Sequence, residues 1–155
     1  MGLSPRFTRA DVRNAIEKRR ILFRKAVINR LELVGWEFVK MAREKTASSG
    51  GFNDVTGNLR SSIGFAVVDH GTVKKENYEV SKGGQKKAEG IQEAKNFIRT
   101  LKGNFDDGFA LIVVAGMGYA AAVESKGKDV ITGSSLEAES ILKAAIDKLK
   151  DRMNR

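Results

Sequence analysis

The chain has no cysteine, one histidine and one proline among its 155 residues. Without cysteine there is no disulfide, no thiolate metal ligand and no thiol nucleophile. With His70 as the lone imidazole, paired-histidine zinc sites are excluded, and any histidine relay has to run through that one residue. One proline leaves no Pro-rich linker and argues against a multidomain layout. No run approaches the ~18 apolar residues a membrane span needs. The first residues, Met1-Gly2-Leu3-Ser4-Pro5-Arg6, lack the apolar stretch of a signal peptide. What is present, 41% hydrophobic and 30% charged residues, reads as one globular domain over 1–155.

Lys and Arg outnumber Asp and Glu by 28 to 19, for a net charge of +9. The excess is uneven, since residues 1–45 hold 12 basic and 5 acidic side chains. That stretch also reads as one long helix over about 9–45. Thr8 offers an N-cap with Asp11 in the first turn. Val12, Ile16, Phe23, Val27, Leu31, Val34, Phe38 and Met41 recur at helical spacing on one face. Such a helix is roughly 50 Å long, against about 30–35 Å for a compact globule of this size. It either kinks, with Gly35 as the natural place, or projects beyond the fold. A second apolar set, Ile21, Leu22, Ile28, Leu33 and Trp36, lies off the main stripe and reads as a broader core face or as a contact face for a neighbouring subunit.

Residues 46–57 are small, polar and Gly-rich, and read as a flexible loop. Ile63–Val68 reads as a strand, Asp69–Thr72 as a turn and Asn77–Val80 as a short strand. A helical pattern opens at Gly83-Gly84, covers about 84–102 and stops at Gly103-Asn104, a C-cap signal. Gly108–Ala115 is apolar on both faces, which predicts a central buried strand. Tyr119–Glu124 and Val130-Ile131 read as strand segments, and Ser134 or Ser135 as the cap of a last helix over about 135–152. The order gives an α+β fold: a small antiparallel sheet packed with a long N-terminal helix, an inserted helix and a C-terminal helix.

Few constellations point to chemistry. Gly116-Met117-Gly118-Tyr119-Ala120-Ala121 follows a strand with a Gly-x-Gly-x-x-Ala pattern, but no parallel strand ending in an acid follows it, so a Gly-rich turn explains it better than a dinucleotide fingerprint. Gly127-Lys128 is followed by Asp129, which breaks the phosphate-loop pattern. Asp69-His70 is an acid–imidazole pair, but neighbours on an extended turn usually point apart, and no nucleophile accompanies them. Glu124 and Asp129 form a carboxylate pair across a short turn without further convergent ligands. No enzyme activity, cofactor or metal is expected. The basic first helix has more to offer. Arg6, Arg9, Arg13, Lys18, Arg19, Arg20, Arg24, Lys25 and Arg30 wind round much of its surface. Arg13, Arg19, Arg20, Arg24 and Lys25 are the candidate DNA-facing residues, through sequence-independent phosphate contact. No zinc-finger, homeodomain or RNA-recognition motif accompanies them.

Two short motifs are more specific. Asp54-Val55-Thr56-Gly57-Asn58-Leu59-Arg60-Ser61-Ser62-Ile63 follows the long helix and loop, and Gly118-Tyr119-Ala120-Ala121-Ala122-Val123-Glu124 follows a strand and precedes the last helix. In order and spacing they resemble the head–tail joining, or tail-completion (neck), proteins of long-tailed bacteriophages, whose pattern is Thr-Gly-x-Leu-Arg-x-Ser-Ile followed by Tyr-Ala-x-x-Val-Glu. The resemblance spans the first helix to about residue 150. It departs after Glu124, where Ser125-Lys126-Gly127-Lys128 replaces the Glu-x-Gly-Thr often found, and the stretch 84–102 looks like an insertion.

The resemblance implies a noncatalytic virion protein of a phage or prophage, made in the host bacterial cytoplasm. It would form a ring, a hexamer by analogy, that meets tail-tube and head-connector proteins, with nonspecific contact to passing DNA and no membrane role. The motif positions Thr56, Gly57, Leu59, Arg60, Ser62, Ile63, Tyr119, Ala120, Val123 and Glu124 would be structural or interface residues, with Leu59 and Ile63 as buried anchors, Thr56 as a cap, and an Arg60–Glu124 contact. A basic nucleic-acid-binding protein is the alternative reading.

Overall fold

Thr8 starts the first helix with a capping box: its hydroxyl accepts the Asp11 N–H at 3.2 Å, and the Asp11 carboxylate accepts the Thr8 N–H at 2.7 Å. The computed structural model describes residues 6–153. Helix α1 (Arg9–Glu44) runs unbroken for 36 residues. A short 3-10 turn, Ala47–Ser49, and a one-turn helix α2 (Asn58–Ser61) lead into the hairpin β1 (Ile63–Asp69) and β2 (Thr72–Tyr78). Helix α3 (Lys87–Leu101), strand β3 (Phe109–Ala115), the short α4 (Ala120–Glu124) and α5 (Thr132–Met153) complete the chain.

The sheet is antiparallel with order β2-β1-β3. The central strand is therefore β1, buried at every position, and β3 lies at an edge. This reverses the sequence reading of Gly108–Ala115 as central. Helices cover both sheet faces, so β3 is apolar on both sides without being in the middle. Ile63, Phe65 and Val67 face α1 in the larger core, which includes Val27, Leu31, Val34 and Phe38. Ala66 and Val68 face the other way, toward Ala94 and Ile98 of α3, with Ile112 and Val114 beside them. The inserted helix thus forms a third layer. The other edge, β2, is longer than the sequence indicated and carries exposed Lys74, Lys75 and Glu76, charges that discourage strand addition.

Gly35 is a packing position, with the helix continuous through it. A side chain there would overlap the Phe65 ring, so the missing Cβ lets α1 lie directly on the central strand. The remaining length of α1 projects. Helix α5 packs along α1 and spans 22 residues, about 33 Å, whereas α1 spans about 54 Å. Burial on α1 accordingly begins at Phe23, and every described residue from Arg6 to Leu22 is exposed.

Other differences are local. Tyr119–Glu124 is a turn and helix, because its alanine run favours helix over strand. Val130-Ile131 forms no strand; the nearby Gly51–Asp129 bridge is isolated. Helix α3 starts at Lys87, beyond Gly83-Gly84, and runs on into a 3-10 turn at Lys102–Asn104, so no glycine cap ends it at 103. Segment 46–57 is held at Phe52, 3% exposed, and at buried Gly51.

Gly35→Ala separates packing from helix propensity. Propensity alone would stabilise the helix by about 1 kcal/mol. We expect a net loss of about 1–3 kcal/mol from overpacking against Phe65, read by urea denaturation.

Candidate functional site

The first motif closes the end of the long helix. Asp54 accepts the N–H groups of Gly57 at 3.1 Å and Arg60 at 3.2 Å, which fixes the start of α2. Asp54, rather than Thr56, is thus the cap. Gly57 sits at φ 78°, a left-handed conformation that costs glycine little, with Gly83 packed where a side chain would go. From this turn the Arg60 guanidinium donates to the carbonyls of Arg43 and Lys45, the latter at 3.1 Å, and stacks 4.9 Å over the Phe52 ring.

Arg43 answers from α1, donating to the Arg60 carbonyl at 3.2 Å and to the Glu79 carbonyl. Each arginine therefore holds the other's backbone. Burial is the main influence lowering the Arg43 pKa; the Glu79 carboxylate opposes it, the Arg60 charge adds to it, and Asp54 opposes it.

The second motif meets the first at a residue the sequence reading did not single out. Asn58, 7% exposed, accepts through Oδ1 from the Tyr119 hydroxyl at 2.6 Å and from the Thr56 hydroxyl. Burial, then the charges of Asp54 and Glu89, raises the Tyr119 pKa, so the phenol stays protonated and donates. Ser62 adds a backbone link, its carbonyl accepting Gly116 N–H at 3.0 Å, and its hydroxyl donates to Leu59 O at 2.7 Å. Leu59 and Ile63 are fully buried anchors and Ala120 is buried, while Val123 packs at the core margin. The one local signal for Asn58 was its place between a capping turn and a buried leucine.

Glu124 does not reach Arg60. Its carboxylate accepts Ile131 and Thr132 N–H at 2.9 Å each, Val130 N–H at 3.3 Å, and the Thr132 hydroxyl at 2.9 Å. It caps α5, a role the sequence assigned to Ser134 or Ser135. Ser134 is instead buried inside the helix. Asp129 accepts Gly133 N–H at 3.1 Å and pairs with Lys45, tying the start of α5 to the end of α1. Burial pushes both carboxyls up. For Glu124 the three N–H donors and the Thr132 hydroxyl, and for Asp129 the Lys45 ammonium and Gly133 N–H, outweigh it and leave each below the usual range. The two acids therefore serve separate ends of one junction. Among the described residues no group of three or more His, Asp or Glu is placed to hold a metal ion.

Asp69 and His70 point toward each other, contrary to the sequence reading. The turn puts His70 at φ 48° and Gly71 at φ 71°, and this left-handed geometry brings His70 Nδ1 to 2.6 Å from Asp69 Oδ1. Asp69 Oδ2 accepts from Arg24 at 2.6 Å. Burial raises this carboxyl, but His70 and Arg24 together hold it below its ordinary value. Arg24 also lies 5.8 Å over Phe109, so it is a strut between α1 and the sheet. Of the other candidate DNA-facing residues, Arg20 pairs with Glu17 at 3.0 Å, and Arg13, Arg19 and Lys25 are exposed on α1.

Beside the arginine clasp lies an open groove of about 810 Å³, lined by Trp36, Lys40, Phe52, Glu79 and Val80 among others. On the outer face of α1, Leu22, Leu33 and Trp36 follow steps of eleven and three and are 66%, 57% and 39% exposed; Trp36 borders the groove. Among the described residues no helix is long and apolar enough to cross a membrane. Comparison with family models, curated proteins and solved structures finds no match for this chain.

Two outcomes test the site. Arg60→Met leaves the last carbonyls of α1 without their donor and costs about 2–3 kcal/mol in chemical denaturation; Arg60→Lys recovers only a fraction, because an ammonium cannot span both carbonyls as the fork does. Folding lowers the pKa of Asp69, Glu124 and Asp129. Their stabilisation is therefore complete above the unfolded values near ~4 and is lost as pH falls through the lower folded values. Glu124→Gln should cost about 1 kcal/mol at neutral pH and flatten the acid limb of the stability–pH curve.

Proposed function

We propose that this protein is a virion structural component of a phage or prophage, a head–tail joining or tail-completion protein that acts by ring assembly. It works without catalysis, cofactor or metal, in the virion and, during assembly, in the host bacterial cytoplasm. Two things support the reading. The two motifs that resemble the neck proteins converge on one junction, where Arg60, Asn58, Tyr119 and Glu124 fix the ends of α1 and α5. The observation that carries it furthest is the spaced line of exposed Leu22, Leu33 and Trp36 on one face of α1, with Trp36 bordering a groove. Exposed large apolar side chains that share one helix face on a small domain suit a contact site, and a head-to-tail contact of this kind closes into a ring when its rotation allows. On this reading the line seats against a neighbouring copy, and the tail-tube and head-connector proteins meet the faces of the ring.

The test is association measured by light scattering and negative-stain microscopy, alone and with candidate tail-tube and head-connector proteins. Wild type assembles, alone at high concentration or on those partners. A Leu22→Glu, Leu33→Glu pair blocks assembly and leaves the melting temperature unchanged, since both side chains are outside the core. A protein that stays monomeric at high concentration and ignores both partners would sink the reading.

A further inference from the structure

The basic residues wind round α1, but a subset of them is aligned along the projecting half. Arg9, Arg13, Arg20 and Arg24 follow steps of four, seven and four. At about 100° per residue they fall within roughly a 60° arc. The long step is occupied by Glu17, which pairs with Arg20 at 3.0 Å. Val12 and Ile16 flank the row without interrupting it. The helix from Arg9 to Arg24 carries the row about 23 Å along the axis.

Its inner end is fixed. Arg24 is held 2.6 Å from Asp69, whose side chain is 2% exposed, so the row leaves the body at a set place. Its outer members are open: Arg9 and Arg13 are exposed and have no ion-pair partner among the described residues.

The charge of this arm has no counterpart on the chain. Residues 6–25 hold eight basic and two acidic side chains, and the rest of the protein holds 20 basic and 17 acidic. A second copy thus offers no compensating negative excess. A regular polyanion does, since a nucleic-acid duplex presents one charge per ~1.7 Å of axis. Along about 23 Å the row meets more phosphates than it has guanidinium groups. Guanidinium forks suit phosphate oxygens. We propose that the projecting half of α1 binds the backbone of double-stranded DNA through this arginine row, without reading its sequence. The proposal stands apart from ring assembly, because its residues lie on a different face of α1 from Leu33 and Trp36, and each can fail alone.

The experiment uses the full chain and fluorescence anisotropy with two unrelated duplexes of about 30 base pairs and one single strand of the same length, over about 50–300 mM KCl. Wild type should bind both duplexes equally, more tightly than the single strand, with affinity falling steeply as salt rises. The triple variant Arg9→Ala, Arg13→Ala, Arg20→Ala should melt like wild type. It should lose at least about ten-fold in affinity at low salt, with a log–log salt slope shallower by about 2–3. A charge-matched control on α5, Lys143→Ala, Lys148→Ala, Lys150→Ala, should stay within about two-fold of wild type, which separates the row from bulk charge. No binding at the lowest salt, an arm variant that binds like wild type, a control that loses as much, or a preference for the single strand would each overturn the proposal.

Discussion

A long helix ends in carbonyl groups that have no partner within the helix, and where that end is packed against other elements something must supply donors. At the end of α1 the donors come from Arg60, a side chain fifteen or more positions downstream, and the carbonyl of Arg60 is in turn held by Arg43. This reciprocal clasp places α2 against the helix. From α2, Ser62 and Asn58 reach the chain around α4, and Glu124 of α4 starts α5, which returns to α1. One chain of hydrogen bonds thus links the ends of α1, α2, α4 and α5 beside the central strand.

The clasp also explains why the two motifs combine arginine, asparagine, tyrosine and glutamate without forming a reactive centre. Each polar side chain is matched to backbone or amide partners. Arg60 and Glu124, which resemble a charge pair when read along the sequence, sit at opposite ends of the same junction, one on carbonyls and the other on N–H groups. Buried charge of this kind is satisfied by hydrogen bonds and fixes geometry.

Much of this architecture was legible in the sequence because period and burial coincide. The stripe from Phe23 to Met41 on α1 is also the packed stripe, and the alternation in Ile63–Val68 does mark a strand. Strand order was not legible. Gly64 and Ala66 make β1 look less apolar than β3, yet β1 is central, because the small side chains make room for α3 and for Tyr78. An apolar strand reports cover above and below, and says nothing of what lies beside it. The caps were missed for another reason. Asp54 serves α2 locally, but Glu124 serves a helix that begins eight residues later across a turn, and no spacing rule reaches that far. The Asp69–His70 contact depended on a left-handed residue, which the sequence offers only through the adjacent glycine. At the candidate site, the sequence marked Arg60, Tyr119 and Glu124 but not Asn58, whose importance comes from being reached by two side chains at once.

The unbroken course of α1 has a mechanical consequence. No glycine or proline interrupts the stretch from Arg9 to Val34, and Arg24 braces the helix to the sheet where it leaves the body. The protruding end has no hinge. Its innermost tether is Arg24 on Asp69, so the arm enters the fold at the tip of the hairpin, and whatever seats on it sits next to that turn.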